Sequence, residues 1–217
     1  MFSVPPTRRS IESGKYVDYH PINTIAEGAP TKFEIPGAGK EYTDLCNCMI
    51  YVRLKVIKQD RTDLGNDMVV APVNLFLRSL FSQVDVFLNG TPVMTASDIY
   101  GYRAYIETLL LYGEVAKKSQ LTSSLFYKDD PQKFDVSELA GNDANSGFVK
   151  RRTFIRANQW LDMIGHIHAD LFFQDRYLIN QVNVKLRFIR SQDTFALVEA
   201  DENRIIIADM VLCVRKQ

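Results

Sequence analysis

The stretch that decides the fold is residues 72–94, which read PVNLFLRSLFSQVDVFLNGTPVM. Its first part follows a proline whose missing N–H costs nothing in the first turn of a helix. Behind it, apolar side chains recur at helical spacing, at Val73, Phe76, Leu77, Leu80 and Phe81. This spacing predicts a helix over residues 73–81.

The second part of the stretch changes from helical spacing to alternation. Val84, Val86 and Leu88 occupy every second position, as in a strand. Asn89-Gly90 follows, and this dipeptide favours a two-residue hairpin turn because both central residues of a type I′ turn take positive φ. A return strand over residues 91–94 comes next. A second helix is predicted over residues 100–119, weakened or ended at position 113, with Arg103 and Glu107 spaced for an ion pair.

The rest of the chain predicts an all-β framework. Alternating or continuous apolar runs predict strands over residues 33–35, 49–57, 148–155, 163–173, 182–188 and 205–214. Two packed antiparallel sheets fit this number of strands. The predicted fold class is therefore all-β: an eight-stranded antiparallel jelly-roll sandwich with short helices inserted in loops at one end.

The first 30 residues differ in composition from the remainder. Prolines and glycines interrupt every period there, although apolar side chains remain between Tyr16 and Ile25. We predict an extended N-terminal arm over residues 1–30, with a free disordered tail as the alternative. Residues 31–217 are predicted to form a single jelly-roll domain. Deleting the arm is then expected to weaken assembly while leaving the melting of the fold largely unchanged.

Charge and cysteine content argue against several classes of protein. Lys plus Arg and Asp plus Glu both number 26, and zero net charge argues against a dedicated nucleic-acid binder, which carries a basic excess. The chain has three cysteines, Cys46, Cys48 and Cys213. An odd number of cysteines implies no disulfide framework, and this favours a reduced, intracellular protein. The chain opens without an apolar leader and has no run of about 18 apolar residues, so we expect neither a standard secretion signal nor a membrane span.

His166, His168 and Asp170 are the sharpest candidates for chemistry. At every second position of a predicted strand they project to one face, about 7 Å apart at each step. Two imidazoles and a carboxylate are ligands that zinc or iron accepts. A polar outward face on a half-exposed strand is the more common explanation. We therefore predict no metal site, with these three residues as the candidates to test.

Other motifs point away from catalysis. Cys46 and Cys48 lack the second pair that zinc-finger spacing requires, and neither a glycine-rich phosphate loop nor a G-x-S-x-G motif occurs. The basic run Lys150-Arg151-Arg152, with Arg156, offers contacts to phosphate. A solvated strand or an inter-subunit salt-bridge edge is the more common role of such a run in a neutral chain. We predict no catalytic residue and no cofactor, and we assign no interface residues.

The chain carries more apolar surface than a single sandwich needs. Both predicted helices are rich in aromatic and aliphatic side chains, and Trp160, the single tryptophan, is typical of a core or interface anchor. Exposed apolar patches mark subunit interfaces. This surplus favours an assembly protein over an enzyme.

Motifs along nearly the whole chain resemble those of one known family. They are YHPIN (19–23), YTDL (42–45), PVNLFL (72–77), LFSQVDV (80–86), LNG (88–90), YRAYIETLL (102–110), LTS (121–123), LFYKD (125–129) and LFFQDRYL (171–178). In these motifs, and in their order, the sequence is similar to the major capsid protein of Polintons (Mavericks), the virus-like DNA transposons of animal genomes, and of related adinto-type viruses.

The resemblance implies a double jelly-roll capsid protein without catalytic residues. Two jelly rolls then stand side by side, and three chains form a pseudo-hexameric capsomer of an icosahedral shell around double-stranded DNA. The implied partners are further copies in a homotrimer and capsid lattice, and penton or minor capsid proteins, with no specific nucleic-acid sequence. The implied location is the virion capsid, assembled inside the host cell. This sequence stops at Gln217, where family chains continue, so it corresponds to the first jelly roll plus the arm.

Two other functions fit the same fold class. A solitary jelly roll serves in ligand or protein recognition without assembling, and a cupin-like metal-dependent enzyme uses the same strand architecture. Light scattering separates the first alternative from a capsid subunit, because only a capsid subunit forms trimers or larger particles. Metal analysis of the purified protein tests the second.

Overall fold

The computed structural model describes residues 13–37, 39–95, 98–199 and 203–217. The first antiparallel sheet has the spatial order β1 (Lys15–Tyr19), β10 (Asn203–Lys216), β3 (Thr43–Lys58) and β7 (Leu161–His166). The second has the order β2 (Thr31–Ile35), β8 (Val184–Arg190), β5 (Phe81–Leu88) and β6 (Thr91–Met94). A separate short ladder pairs β4 (Ala71–Pro72) with β9 (Leu197–Val198).

The eight strands of the two sheets form a jelly roll. Without the short ladder, strands counted along the chain have the order 1-8-3-6 in one sheet and 2-7-4-5 in the other. The chain therefore crosses between the sheets at every connection except the hairpin of β5 and β6. This topology confirms the predicted eight-stranded antiparallel sandwich.

The helices lie in the connections between the sheets. They are α1 (Phe76–Ser79), α2 (Tyr100–Leu111), α3 (Glu114–Lys118), α4 (Ser146–Arg152) and α5 (Asp193–Ala196), with 3-10 turns at Gln120–Ser124, Arg156–Asn158 and Asp170–Phe173. Although α1, α2 and α5 belong to three different connections, α1 contacts both of the others. These three helices therefore meet at one end of the sandwich. This end is the predicted location of α1 and α2, whereas α5 was not predicted.

The core lies between the two sheets. Every second residue of β3 from Ile50 to Val56 is at most 1% exposed, which confirms the inner face predicted from alternation. In the second sheet, the Phe188 ring packs against Phe33 and Phe81 at centroid distances of 5.7 and 5.0 Å. Because burying one large apolar side chain contributes about 1.5–3 kcal/mol, these layers dominate the stability of the sandwich.

The Asn89-Gly90 turn forms as predicted. The φ angles are 48° at Asn89 and 83° at Gly90, and Leu88 pairs with Thr91 across the turn. Both central residues thus occupy the left-handed region that a type I′ turn requires. The Asn89 side chain also accepts a hydrogen bond from the Asn183 N–H at 2.8 Å, which ties the hairpin to the loop before β8.

The helix predicted over residues 73–81 is wrong in length. Helix α1 has four residues, Leu75 before it has a φ of 59°, and Phe81 already begins β5. The side-chain oxygen of Asn74 accepts a hydrogen bond from the Tyr127 N–H at 2.8 Å, and the Leu75 N–H donates to the Leu125 carbonyl at 3.2 Å. These bonds to a distant segment hold the chain in a turn where the apolar spacing predicts a helix.

The strand predicted over residues 148–155 is also wrong, because most of this segment is helix α4. The helix begins after Asn145, whose side chain accepts hydrogen bonds from the N–H groups of Gly147 and Phe148. The same side chain donates to Asp129 Oδ1 at 2.7 Å and to the Lys133 carbonyl at 2.9 Å. An N-cap residue satisfies the free N–H groups of the first turn, so a buried, fully bonded asparagine starts a helix here.

Arg151 and Arg152 of the basic run are internal anchors, so the run is not the solvated strand that the sequence favoured, whereas Lys150 and Arg156 are exposed. A role of the run as an inter-subunit salt-bridge edge stays a prediction. Arg151 is 2% exposed. Its guanidinium donates to the Pro72 carbonyl at 2.7 Å, to the Tyr127 carbonyl, and to Asp129 Oδ1 at 2.7 Å. Arg152 donates to two further backbone carbonyls. Both guanidinium groups therefore hold loops together.

The first strand lies within the segment predicted as an arm. Strand β1 pairs with β10 from Lys15, opposite Lys216, to Tyr19, opposite Leu212, and Tyr19 packs against the core. Residues 1–12 of the predicted arm lie outside the described residues. The division into an arm over 1–30 and a domain over 31–217 stays a prediction, but part of this arm is a strand of the first sheet.

Deleting residues 1–20 is expected to lower the melting temperature, contrary to the expectation from sequence. The deletion removes β1 and leaves the edge of β10 without a partner. Thermal unfolding followed by circular dichroism should show a loss of about 5 °C or more relative to a deletion of residues 1–12, which keeps β1. Equal melting temperatures for the two deletions would contradict a stabilising role for this strand.

Replacing Arg151 by methionine is expected to lower the free energy of unfolding by about 3 kcal/mol. The change removes the cation paired with Asp129, which keeps only the Asn145 donor, and leaves the Pro72 and Tyr127 carbonyls without the donors that Arg151 supplies. Urea unfolding measures the loss. Arg156→Met, at an exposed position, is the control and should change stability by less than about 0.5 kcal/mol. Equal effects of the two substitutions would argue against the anchor.

Candidate assembly interface

Helix α2 packs one side against the sandwich. Tyr100, Ala104 and Thr108 recur every four residues, and each is at most 1% exposed. Gly101 lies beside them, and a Cβ at this position would come within 3.0 Å of the Phe195 ring. This side of α2 contacts α1 and β5. It is therefore as closely packed as the core itself.

The other side of α2, together with α3, is apolar and open to solvent. Tyr102 is 61% exposed, Ile106 56% and Leu110 80%, and Val115 on α3 is 83% exposed. We define the apolar face by these four residues together with Ile99, Leu109 and Leu111, which are also exposed. Every exposed residue of α2 is apolar. The structure thus confirms the surplus of apolar surface predicted for this helix, and such a patch marks an interaction site.

The two charged residues of α2 face a hydrogen-bonded network at its side. Arg103 Nε donates to Glu107 Oε1 at 2.6 Å, and its Nη2 group donates to Asp170. Glu107 Oε2 lies 2.9 Å from His168 Nδ1. The network ties α2 to the segment that follows β7, and so it determines which side of the helix faces solvent.

His168 is neutral at physiological pH. Its side chain is 2% exposed, and burial, followed by the nearby charge of Arg78, lowers its pKa to about 4 against the opposing hydrogen bond to Glu107. The neutral ring donates its Nδ1–H to the Glu107 carboxylate. The Tyr100 hydroxyl accepts the backbone N–H of His168 at 3.3 Å, so this residue is held from two sides.

The three metal candidates do not share one face of a strand. The strand predicted over residues 163–173 is wrong beyond His166, where β7 ends, and Asp170 already begins a 3-10 turn. His166 is exposed, whereas His168 and Asp170 both belong to the α2 network. Within the described ranges, no group of three or more His, Cys, Asp and Glu side chains has the arrangement of a metal site.

Trp160 is a surface residue with two basic neighbours. Trp160 is 46% exposed and lies on the surface, with Arg53 and Lys55 at 5.4 and 5.7 Å from its ring. It is therefore no core anchor, and a role as an interface anchor stays a prediction.

The three cysteines are free thiols. Burial raises the pKa of Cys48 to about 12, so this thiol is protonated and unreactive at neutral pH.

One part of the α2 network was predictable from the sequence, and the rest was not. The four-residue spacing of Arg103 and Glu107 predicts their ion pair, which the structure contains. Nothing in the sequence links Glu107 to His168, which lies 61 positions away. The interface residues were likewise unassigned, because helical spacing alone does not distinguish the buried side of α2 from the open one.

A comparison with one solved structure, that of the Sputnik virophage, supports the fold. A chain of the Sputnik virophage, solved by cryo-EM, matches with a TM-score of 0.64 and 11% identity, over 100% of this chain and 52% of that chain. The Faustovirus major capsid protein matches with a TM-score of 0.49 and 10% identity, over 99% and 56%. The mavirus major capsid protein matches with a TM-score of 0.41 and 11% identity, over 100% and 48%. At such identities the virophage match shows the fold alone.

A relative in sequence is an uncharacterised protein of Caenorhabditis elegans. It is 24% identical over 208 residues, which are 91% of this chain and 46% of that protein. No family model matches the chain. The chain thus spans about half the length of this relative and of the virophage chain. In the part of the chain that the structure describes, no helix is long and apolar enough to cross a membrane.

Acidification is expected to destabilise the fold through His168. The folded pKa of about 4 lies below the ordinary value of 6.5, so the unfolded chain takes up this proton first. The contribution of neutral His168 to the free energy of unfolding is therefore complete above pH 6.5 and is lost as the pH falls toward 4. The slope of this loss is at most about 1.4 kcal/mol per pH unit.

Urea unfolding at pH 7, 6 and 5 checks this expectation. His168→Gln keeps a donor for Glu107 without titrating, and it should flatten the loss of stability between pH 6.5 and 5. His20→Gln, at an exposed position, should leave the loss unchanged. An identical pH dependence in His168→Gln and the unsubstituted chain would show that His168 is not the group responsible.

Proposed function

We propose that this chain is a structural subunit of a viral capsid and performs no catalysis. The observation that carries the proposal is the apolar face. A jelly-roll sandwich with a complete core of its own still presents seven large apolar side chains to solvent around α2 and α3. A wall-forming subunit has such a surface because neighbouring copies cover it.

Contacts between copies at the apolar face have a suitable energy. Fully burying one large apolar side chain contributes about 1.5–3 kcal/mol, so four residues of the face supply roughly 6–12 kcal/mol. Association costs about 4–15 kcal/mol in lost translational and rotational freedom. A single contact is therefore marginal in solution. A closed ring is favoured, because each subunit in it makes two contacts.

The finer proposal is that the chain is the first jelly roll of a double jelly-roll major capsid protein of the Polinton (Maverick) type. The ordered motifs support it, and so does the coverage of 46% and 52% of two longer proteins. In this proposal residues 31–217 form one jelly-roll domain, and residues 1–30 form an arm in which β1 is the docked part.

The same proposal describes the assembly. Three chains form a pseudo-hexameric capsomer, and capsomers tile an icosahedral shell together with penton or minor capsid proteins. The working location is then the virion capsid, assembled inside the host cell. Support for these steps comes from the resemblance of the sequence motifs and from the fold shared with the virophage chain.

Replacing Leu110 and Val115 together by glutamate is expected to abolish self-association. Both side chains are at least 80% exposed, so the substitutions place charge in the contact without disturbing the core, and the free energy of unfolding should change by less than about 0.5 kcal/mol. Size-exclusion chromatography with light scattering measures the mass. The unsubstituted chain should form trimers or larger particles in a concentration-dependent manner.

Ile179→Glu is the matched control, because Ile179 is 66% exposed and lies outside the apolar face. It should assemble like the unsubstituted chain. An unsubstituted chain that stays monomeric at every concentration would contradict the capsid proposal and leave a solitary binding module as the alternative. Assembly that persists in the double variant would move the contact to another surface.

A further inference from the structure

A groove beside the apolar face has an apolar floor and a basic rim. Its volume is about 280 Å³. The apolar lining comes from the exposed Leu109, the half-buried Tyr127 and the buried Phe126. Around them lie Lys117, Lys118 and Lys128. Lys117 is engaged with Glu114 at 3.8 Å. Among the described residues, Lys118 and Lys128 have no carboxylate within ion-pair distance, so the rim carries free positive charge. We name this site the basic groove.

A loop elsewhere on the same chain has the complementary character. Residues 134–143 contain Asp135, Glu138 and Asp143 and no Lys or Arg. All three carboxylates are exposed, and none has an ion-pair partner in the described part of the chain. Phe134, at the start of the segment, is 64% exposed. We name residues 134–143 the acidic loop.

Hydrogen bonds at its two ends hold the acidic loop in place. Asn145 is 1% exposed and donates to the Lys133 carbonyl at 2.9 Å. Lys133 Nζ in turn donates to the Asn142 carbonyl, which joins the two ends of the loop. A segment that is already ordered loses little conformational entropy on binding. The loop therefore presents Phe134 as a preformed apolar anchor with acidic neighbours.

We propose that the acidic loop of one copy of this chain occupies the basic groove of a second copy. Phe134 lies on the apolar floor in this contact, and Asp135 and Glu138 face Lys118 and Lys128. The inference rests on the proposed function, since it names the contact through which copies meet. Phe134 does not line the groove of its own chain, so the proposed contact requires a second copy.

The two halves of this contact are different segments of one chain, so copies can meet reciprocally about a two-fold axis or heterologously. The trimer of the proposed function requires the heterologous form. Contacts of this kind close into rings when the rotation between copies permits, and otherwise extend as filaments. Leu109 belongs to both the groove and the apolar face, so the contact continues the surface proposed for assembly. Charges are screened over about 8 Å at physiological salt, so the ion pairs contribute to the choice of partner more than to affinity. The burial of Phe134 supplies the affinity.

The test measures self-association by sedimentation velocity and light scattering. Phe134→Ala should raise the dissociation constant about tenfold or more, as expected for a buried aromatic anchor. Lys118→Glu combined with Lys128→Glu should weaken association to a similar extent. Adding Asp135→Lys and Glu138→Lys to that chain should restore assembly, because the charges are again complementary. Lys32→Glu, at an exposed lysine on β2, should have no effect.

The outcomes separate this inference from the proposed function. Unchanged assembly in the groove variant overturns the inference and leaves the apolar-face proposal standing; the groove then serves another acidic partner or none. Failure of the fourfold variant to reassociate also overturns it, provided that its melting temperature is unchanged. An unsubstituted chain that stays monomeric overturns both the inference and the proposed function.

Discussion

Helix α2 is apolar on two sides, and a two-layer sandwich can bury only one of them. The side that carries Gly101 and Ala104 is narrow enough to fit against α1 and the Phe195 ring. The bulkier side, with Tyr102 and Leu110, is left in water. Covering it would require a third layer, which the described residues do not form. The core is therefore complete, but one apolar side of α2 stays uncovered. The proposed function assigns contacts with other copies of the chain to this side.

A polar network stabilises this choice of sides. Glu107 bonds both Arg103 and the buried His168, and a rotation of α2 about its axis would separate these partners. A buried group that loses its hydrogen bond costs about 1–3 kcal/mol, so the few polar atoms at the side of the helix outweigh a modest apolar gain from turning it. The helix is consequently a rigid platform. A rigid surface loses less entropy on association than a flexible one.

Polar anchors also shape the loops around this platform. Arg151 and Asn145 bind the same carboxylate, Asp129, and each of them reaches further backbone groups. Asn145 starts helix α4 and positions the acidic loop. Arg151 joins α4 to the segments before α1 and after α3. Loops held in this way keep their shape without strand pairing. This explains how a long irregular connection can present both a groove and an exposed aromatic anchor at defined places.

The sequence by itself determined the predominance of strands that fits a jelly roll, the hairpin at Asn89-Gly90 and the surplus of apolar helix, because each follows from local spacing or local φ preference. Only the tertiary structure decided that Leu75 turns left-handed, that residues 146–152 form a helix and that β7 ends at His166. Each of these outcomes depends on hydrogen bonds to residues well separated along the chain, such as Asn74 with Tyr127 or His168 with Glu107. The periodicity of apolar residues indicates which side chains are buried. Buried hydrogen bonds, in contrast, pair groups that meet only once the chain has folded. The same reason limits prediction of the site. Its apolar character was predictable, but the side of α2 that faces solvent was decided by tertiary packing together with the hydrogen bonds of Glu107.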